Sequence, residues 1–136
     1  MTQTNPLASY QSHALGLLRI VTAYLFVVHG TTKLFQLPFI ERFANVPLAS
    51  MYGAAGVIEL VGGLLLLLGL FTRPVAFVLA GQMAVAYFIG HVASGGNALM
   101  PILNSGELAV QWCFTFLFFF VAGSGAFALD NLRQKA

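Results

Sequence analysis

Four long apolar stretches, at roughly residues 14–34, 52–72, 74–93 and 106–127, take up most of the chain, and Pro, Gly, Asn and charged residues collect in the short segments between them. A helix crossing the hydrocarbon core of a bilayer needs about 20 mostly apolar residues. Each stretch meets that length, so the pattern predicts an all-α membrane protein: a four-transmembrane-helix bundle forming a single domain over residues 1–136. The first connection, FQLPFIERFANVPLAS at 35–50, mixes Glu41 and Arg42 with Phe35, Phe39, Ile40 and Phe43, and reads as a loop lying on the bilayer surface. The second, FTRP at 71–74, makes spans two and three antiparallel neighbours, with Thr72 placed to cap the third span and Pro74 to open it. The third, SGGNALMPILNSG at 94–106, is a polar loop on the same side as the first.

Depth can be counted along such spans at about 1.5 Å per residue. His29, Lys33 and His91 then fall near the ends of spans one and three, and Glu107 and Glu59 near the starts of spans four and two. All five lie within about two turns of one boundary. Helical phase groups them further. Arg19, Ala23, Phe26, Gly30 and Lys33 form a stripe on span one, Tyr52, Gly56, Glu59 and Gly63 on span two, and Glu107, Gln111 and Thr115 on span four, while Tyr87 and His91 lie one turn apart on span three.

Ionisable groups at membrane depth are costly and pair in a bundle interior or a wet cavity. The economical arrangement sets Lys33 and His29 opposite Glu59, and His91 opposite Glu107, with Gly56, Gly62 and Gly63 letting a neighbouring helix approach closely. The same residues serve two readings: an ion pair that docks helices, or a polar pocket in the outer half of the bundle. Arg19 lies deepest, and snorkelling to the interface is its simplest account. Trp112 and Tyr52 suit an interfacial aromatic belt, and the run FTFLFFF at 114–120 suits lipid contact. A His and a Glu recur in each half, as in two stacked helical hairpins.

Composition narrows the class. Hydrophobic residues make up 59% of the 136 and charged residues 7%, far below the roughly 25% of a soluble domain. A net charge of +2 spread this thinly forms no basic patch, which excludes a nucleic-acid partner. Arg73, Arg133 and Lys135 on the side of the termini, against Lys33 and Arg42 opposite, place both termini in the cytoplasm of a multi-pass inner-membrane protein. The N-terminus has the marks of a retained first helix and not of a cleaved signal peptide. The single cysteine, Cys113, rules out an internal disulfide and a CxxC pair. No metal site is expected. Nor is a haem, because two histidines at similar depth are only a necessary condition for both rings to reach one iron.

The pieces LLRIVTAYLFVVHGTTKL, GVIELVGGLLLLLGLFTRPVA, His91 with Pro101, NSGELA and GSGAFALD, which run in order from position 17 to 130, resemble the DoxX family of small four-helix membrane proteins. The resemblance carries family positions onto His29, Gly30, Lys33, Glu59, Gly63, Thr72, Arg73, His91, Gly106, Glu107 and Asp130. It implies a membrane subunit of an oxidoreductase system of the thiosulfate:quinone type, with structural roles for Gly63, Thr72 and Arg73 beside the packing role of Gly56. On that reading a quinone or similar molecule meets His29, Lys33, Glu59, His91, Glu107 and Gln111. Lys33 and His29 would hydrogen-bond a carbonyl oxygen and stabilise its charge, and Glu59 and Glu107 would relay protons. The alternatives are a non-catalytic anchor for a soluble redox partner, which would use Arg19, Arg73 and the tail, and a small-molecule carrier acting as a homo-oligomer. Membrane lipid is a partner in every case.

Overall fold

A computed structural model describes residues 5–134, and within them every regular element is helical. Helix α1 spans Gln11–Phe35, α2 Met51–Leu68, α3 Thr72–Val85, α4 Glu107–Ala122, and a single turn, α5, Asp130–Arg133. Helix α3 runs on through a π-helical segment, Ala86–Val92, and short 3₁₀ turns occupy Ala8–Tyr10, Glu41–Phe43 and Pro101–Leu103. Three helical stretches, Ala8–Phe35, Met51–Leu68 and Thr72–Val92, are long and apolar enough to cross a membrane; α4 is as apolar but shorter.

Two expected spans end early, each for a visible reason. Helix α2 stops at Leu68, not 72, because Gly69 turns left-handed (φ 65°) and the Leu70 amide reaches back to the Leu65 carbonyl at 2.9 Å. Helix α4 stops at Ala122, not 127, because Gly123 takes φ 91° and the next residues fold back as an irregular strap against α1.

The helices form two antiparallel pairs, α1 on α2 and α3 on α4. Two glycines set the α1–α2 spacing. A Cβ on Gly30 would lie 2.6 Å from the Leu60 backbone nitrogen, and one on Gly63 would lie 2.8 Å from Val27 Cγ2. Contact this close fits helix packing in lipid, where van der Waals contact takes the place of hydrophobic exclusion. Between the pairs lies a core of Phe26, Leu66, Leu79, Met83, Trp112, Phe116 and Phe119. Trp112 is thus part of the core and not of an aromatic belt, its ring edge-on to Phe26 at 5.1 Å. The phenylalanine run divides by helical phase: Phe116 and Phe119 point inward, while Phe114, Phe118 and Phe120 face out.

Arg19 does not snorkel. It is fully buried, and all five of its N–H donors meet backbone carbonyls. Nη1 donates to Leu66 (2.6 Å) and Leu67 (2.8 Å) at the end of α2, Nε to Ser124 (2.8 Å), and Nη2 to Ala126 (3.0 Å) and Phe127 (2.9 Å) of the strap. Apart from that of Leu66, which also accepts from the Gly69 amide, these are carbonyls that a helix end and an irregular segment leave without amide partners, and such groups are tolerated away from water only when satisfied inside the protein. Arg73 does the same at lower burial, its Nη1 donating to Phe120 and Val121 at the end of α4. The cap expected of Thr72 comes from elsewhere. Phe71 holds the N-cap position, and the Asp130 carboxylate accepts from the Phe71 and Thr72 amides at 2.8 Å each. Lys135 of the C-terminal tail lies outside the described residues.

Candidate functional site

These contacts divide the bundle into two ends. Arg19, Arg73 and Asp130 tie together the end that carries the termini. At the other end, between the two helix pairs, lies a cavity of about 330 Å³. Every membrane helix contributes to its wall: His29 and Lys33 from α1, Tyr52 and Glu59 from α2, Gln82 and His91 from α3 and its π-helical extension, and Trp112 from α4. Arg42 and Phe43 of the surface loop line the mouth.

Lys33 and Glu59 meet across the α1–α2 contact, Nζ to Oε1 at 2.5 Å, with side chains only 8% and 3% exposed. The phase of each helix makes this contact unavoidable. Arg19, Ala23, Phe26, Gly30 and Lys33 share the buried face of α1, and Gly56, Glu59 and Gly63 share that of α2. Gly56 supplies the room, since a Cβ there would lie 3.1 Å from Lys33 Cβ. The ammonium also lies 5.3 Å from the centre of the Phe43 ring. Gln82, which no motif singled out, completes the cluster: its Nε2 donates to Glu59 Oε1 at 3.1 Å and to the Ala55 carbonyl at 3.3 Å. Glu59 Oε2 and Gln82 Oε1 are buried and have no partner. Only the spacing of Gln82 on an otherwise apolar α3 could have pointed to it.

The two histidines act differently. His29 packs edge-on against Trp112 at 5.0 Å between ring centres. His91 bonds through Nδ1 to the Asn104 carbonyl at 3.0 Å. That loop is braced by Asn104, which donates to Tyr87 Oη and accepts from the Gly106 amide. His91 sits where the chain is π-helical, with the Ala93 amide bonding back five residues to Phe88. Such wide turns are frequent at functional sites.

His91 does not face Glu107. The inward face of α4 is Ala109, Trp112, Phe116 and Phe119, so Glu107 and Gln111 fall on the outer side, exposed and off the cavity wall. Gln111 Nε2 reaches only Thr115 Oγ1, at 3.5 Å. The stripe Glu107, Gln111 and Thr115 is real, and it is turned away from the cavity. No cluster of three or more His, Cys, Asp or Glu suited to a metal ion occurs among the described residues.

A helical bundle with membrane-length apolar helices and a buried Lys–Glu pair on the wall of an internal cavity defines a small integral membrane protein with a polar site inside it. The comparisons with known proteins make the class specific: residues 14–92 match the DoxX family, and the chain belongs to it. An uncharacterised protein of Haemophilus influenzae is 49% identical over 128 residues, covering 93% of this chain and 96% of its own. A Bacillus subtilis protein named "Putative oxidoreductase CatD" is 30% identical over 88% of this chain and 86% of its own. The Escherichia coli "Inner membrane protein YqjF" is 30% identical over 86% of this chain and 89% of its own. No solved structure matches the chain.

Proposed function

We propose that this protein is the membrane subunit of an oxidoreductase system, and that the cavity beside Lys33 and Glu59 holds the polar head of a quinone or similar lipophilic molecule. One observation carries the reading: a cavity of about 330 Å³, within the size range of ligand sites, has a buried ion pair in its wall with a carboxylate oxygen to spare. A pair that served only to dock α1 on α2 has no need of a cavity beside it. The name of the B. subtilis relative points to the same chemistry, and the name of the E. coli relative to an inner-membrane location.

In this reading Lys33 donates to a ring oxygen and stabilises negative charge as it develops there, while Glu59, held by Gln82, takes and returns a proton. His29 and Trp112 form the wall against the ring, and His91 lines the cavity from α3. Glu107 and Gln111 drop out of the ligand set because they lie off the wall. The end carrying the termini, with Arg73 and Arg133, faces the cytoplasm. An anchor reading loses its main residues, since Arg19 and Arg73 are engaged with the protein's own carbonyls.

The test is a titration of delipidated protein with a short-tailed quinone. Saturable binding is expected, weakened about ten-fold or more in Lys33→Ala through loss of a charge-assisted hydrogen bond. Equal affinity in Lys33→Ala and Glu59→Ala would contradict the proposal.

A further inference from the structure

We infer that the inner end of the cavity is built for a hydrogen-bond donor, so that it selects a phenolic or hydroquinone-type hydroxyl over the corresponding quinone carbonyl. The inference rests on the ligand reading above and adds the polarity of the group that is bound.

Glu59 lies eight residues into α2 from Met51, and Gln82 lies ten residues before the end of the π-helical extension at Val92, so both sit deeper than Lys33 or the mouth residue Arg42. The orientation of the Gln82 amide is fixed by its neighbours. Its nitrogen faces two acceptors, Glu59 Oε1 and the Ala55 carbonyl, and the reversed amide would set oxygen against oxygen at both. Gln82 Oε1 is therefore the free end. Glu59 Oε1 takes both Lys33 and Gln82, which leaves Oε2 free.

Among the described residues, the buried side-chain atoms without a partner are these two acceptors and Thr72 Oγ1, which lies at the opposite end of the bundle. The inner end thus has two acceptors with no partner at all, whereas its donors, Lys33 Nζ and Gln82 Nε2, both already meet Glu59 Oε1. His91 is oriented in a similar way: the Asn104 carbonyl can only accept, so Nδ1 carries the proton that faces it.

A hydroxyl of the occupant satisfies an acceptor that is otherwise buried without a donor, whereas a quinone oxygen brings a further acceptor to the same place. Sites built around such groups discriminate strongly against the analogue lacking the hydrogen. The walls beyond the polar end, with Met83, Ala86, Ile89, Leu108 and Ala109, suit a ring or alkyl tail.

The experiment compares durohydroquinone, duroquinone and the dimethyl ether of durohydroquinone under anaerobic conditions. The midpoint of the quenching of Trp112, the single tryptophan of the chain and part of the cavity wall, reports binding. The expected result is about ten-fold tighter binding of the hydroquinone than of either analogue, with the preference falling to about two-fold in Gln82→Met. Binding of all three compounds without preference, as when water fills the acceptors, would overturn the inference and leave the ligand reading intact. Binding of none would overturn both. The wild-type comparison stands whether or not the variant folds.

Discussion

Arg19 shows how one residue can set the geometry of a membrane fold. A fully buried guanidinium with no acidic partner would be prohibitive in lipid, yet here five carbonyls surround it, two at the negative end of the α2 dipole. The arginine fork meets them as a rigid plane, which a lysine cannot reproduce with three donors on one atom. Arg19→Met would remove all five bonds and leave the Leu67, Ser124, Ala126 and Phe127 carbonyls unpaired in the interior. The expected loss is about 3 kcal/mol or more of stability, read as a lowered midpoint in detergent unfolding, with Arg19→Lys intermediate. An Arg19→Met protein as stable as the parent would show that the strap does not depend on this knot.

The ends of the helices depend on contacts between distant parts of the chain. Helix α3 begins on the Asp130 carboxylate, more than fifty residues away, which accepts from two amides that the helix leaves open. Burial alone would push the Asp130 carboxyl up. The backbone bonds from Thr72 and Phe71 and the charge of Arg133 outweigh it and hold the group below the ordinary carboxylate range. Its contribution to stability is therefore complete above the unfolded value of about 3.9 and is lost as the pH falls through the lower folded value. Asp130→Ala is expected to cost about 1 kcal/mol at neutral pH and to flatten the acid limb of the stability profile, which thermal unfolding across a pH series would reveal. An unchanged acid limb would remove Asp130 from this role. The existence and faces of the helices were legible in the sequence, because apolar length marks a span and the spacing Arg19, Ala23, Phe26, Gly30, Lys33 marks an inward stripe. Where α2 and α4 stop was not legible. Gly69 and Gly123 read as ordinary glycines in apolar runs until the strap that folds beneath them is known. The α4 stripe was found, but its rotation was not, since a polar stripe can face a cavity or the outside and only the packing of Trp112 and Phe116 decides.

Taken whole, the bundle is tied by backbone contacts at the end carrying the termini, where a broad open groove of about 1090 Å³ also lies, and holds the smaller cavity beside Lys33 and Glu59 at the other end. Rigidity at the end carrying the termini, through Arg19, Arg73 and Asp130, holds the helix pairs so that Lys33, Glu59 and Gln82 converge beside the cavity. The central claim is that this cavity holds a lipophilic molecule, and that the buried ion pair is there for it. Replacing both members together, Lys33→Met with Glu59→Leu, removes the pair without leaving a lone buried charge, and such exchanges are often neutral or stabilising for the fold. The most direct measurement is native mass spectrometry of the protein released from its membrane, parent beside double variant. The account predicts that the parent carries a small organic adduct and that the equally stable double variant carries none. The same adduct on both proteins, or none on the parent, would contradict it.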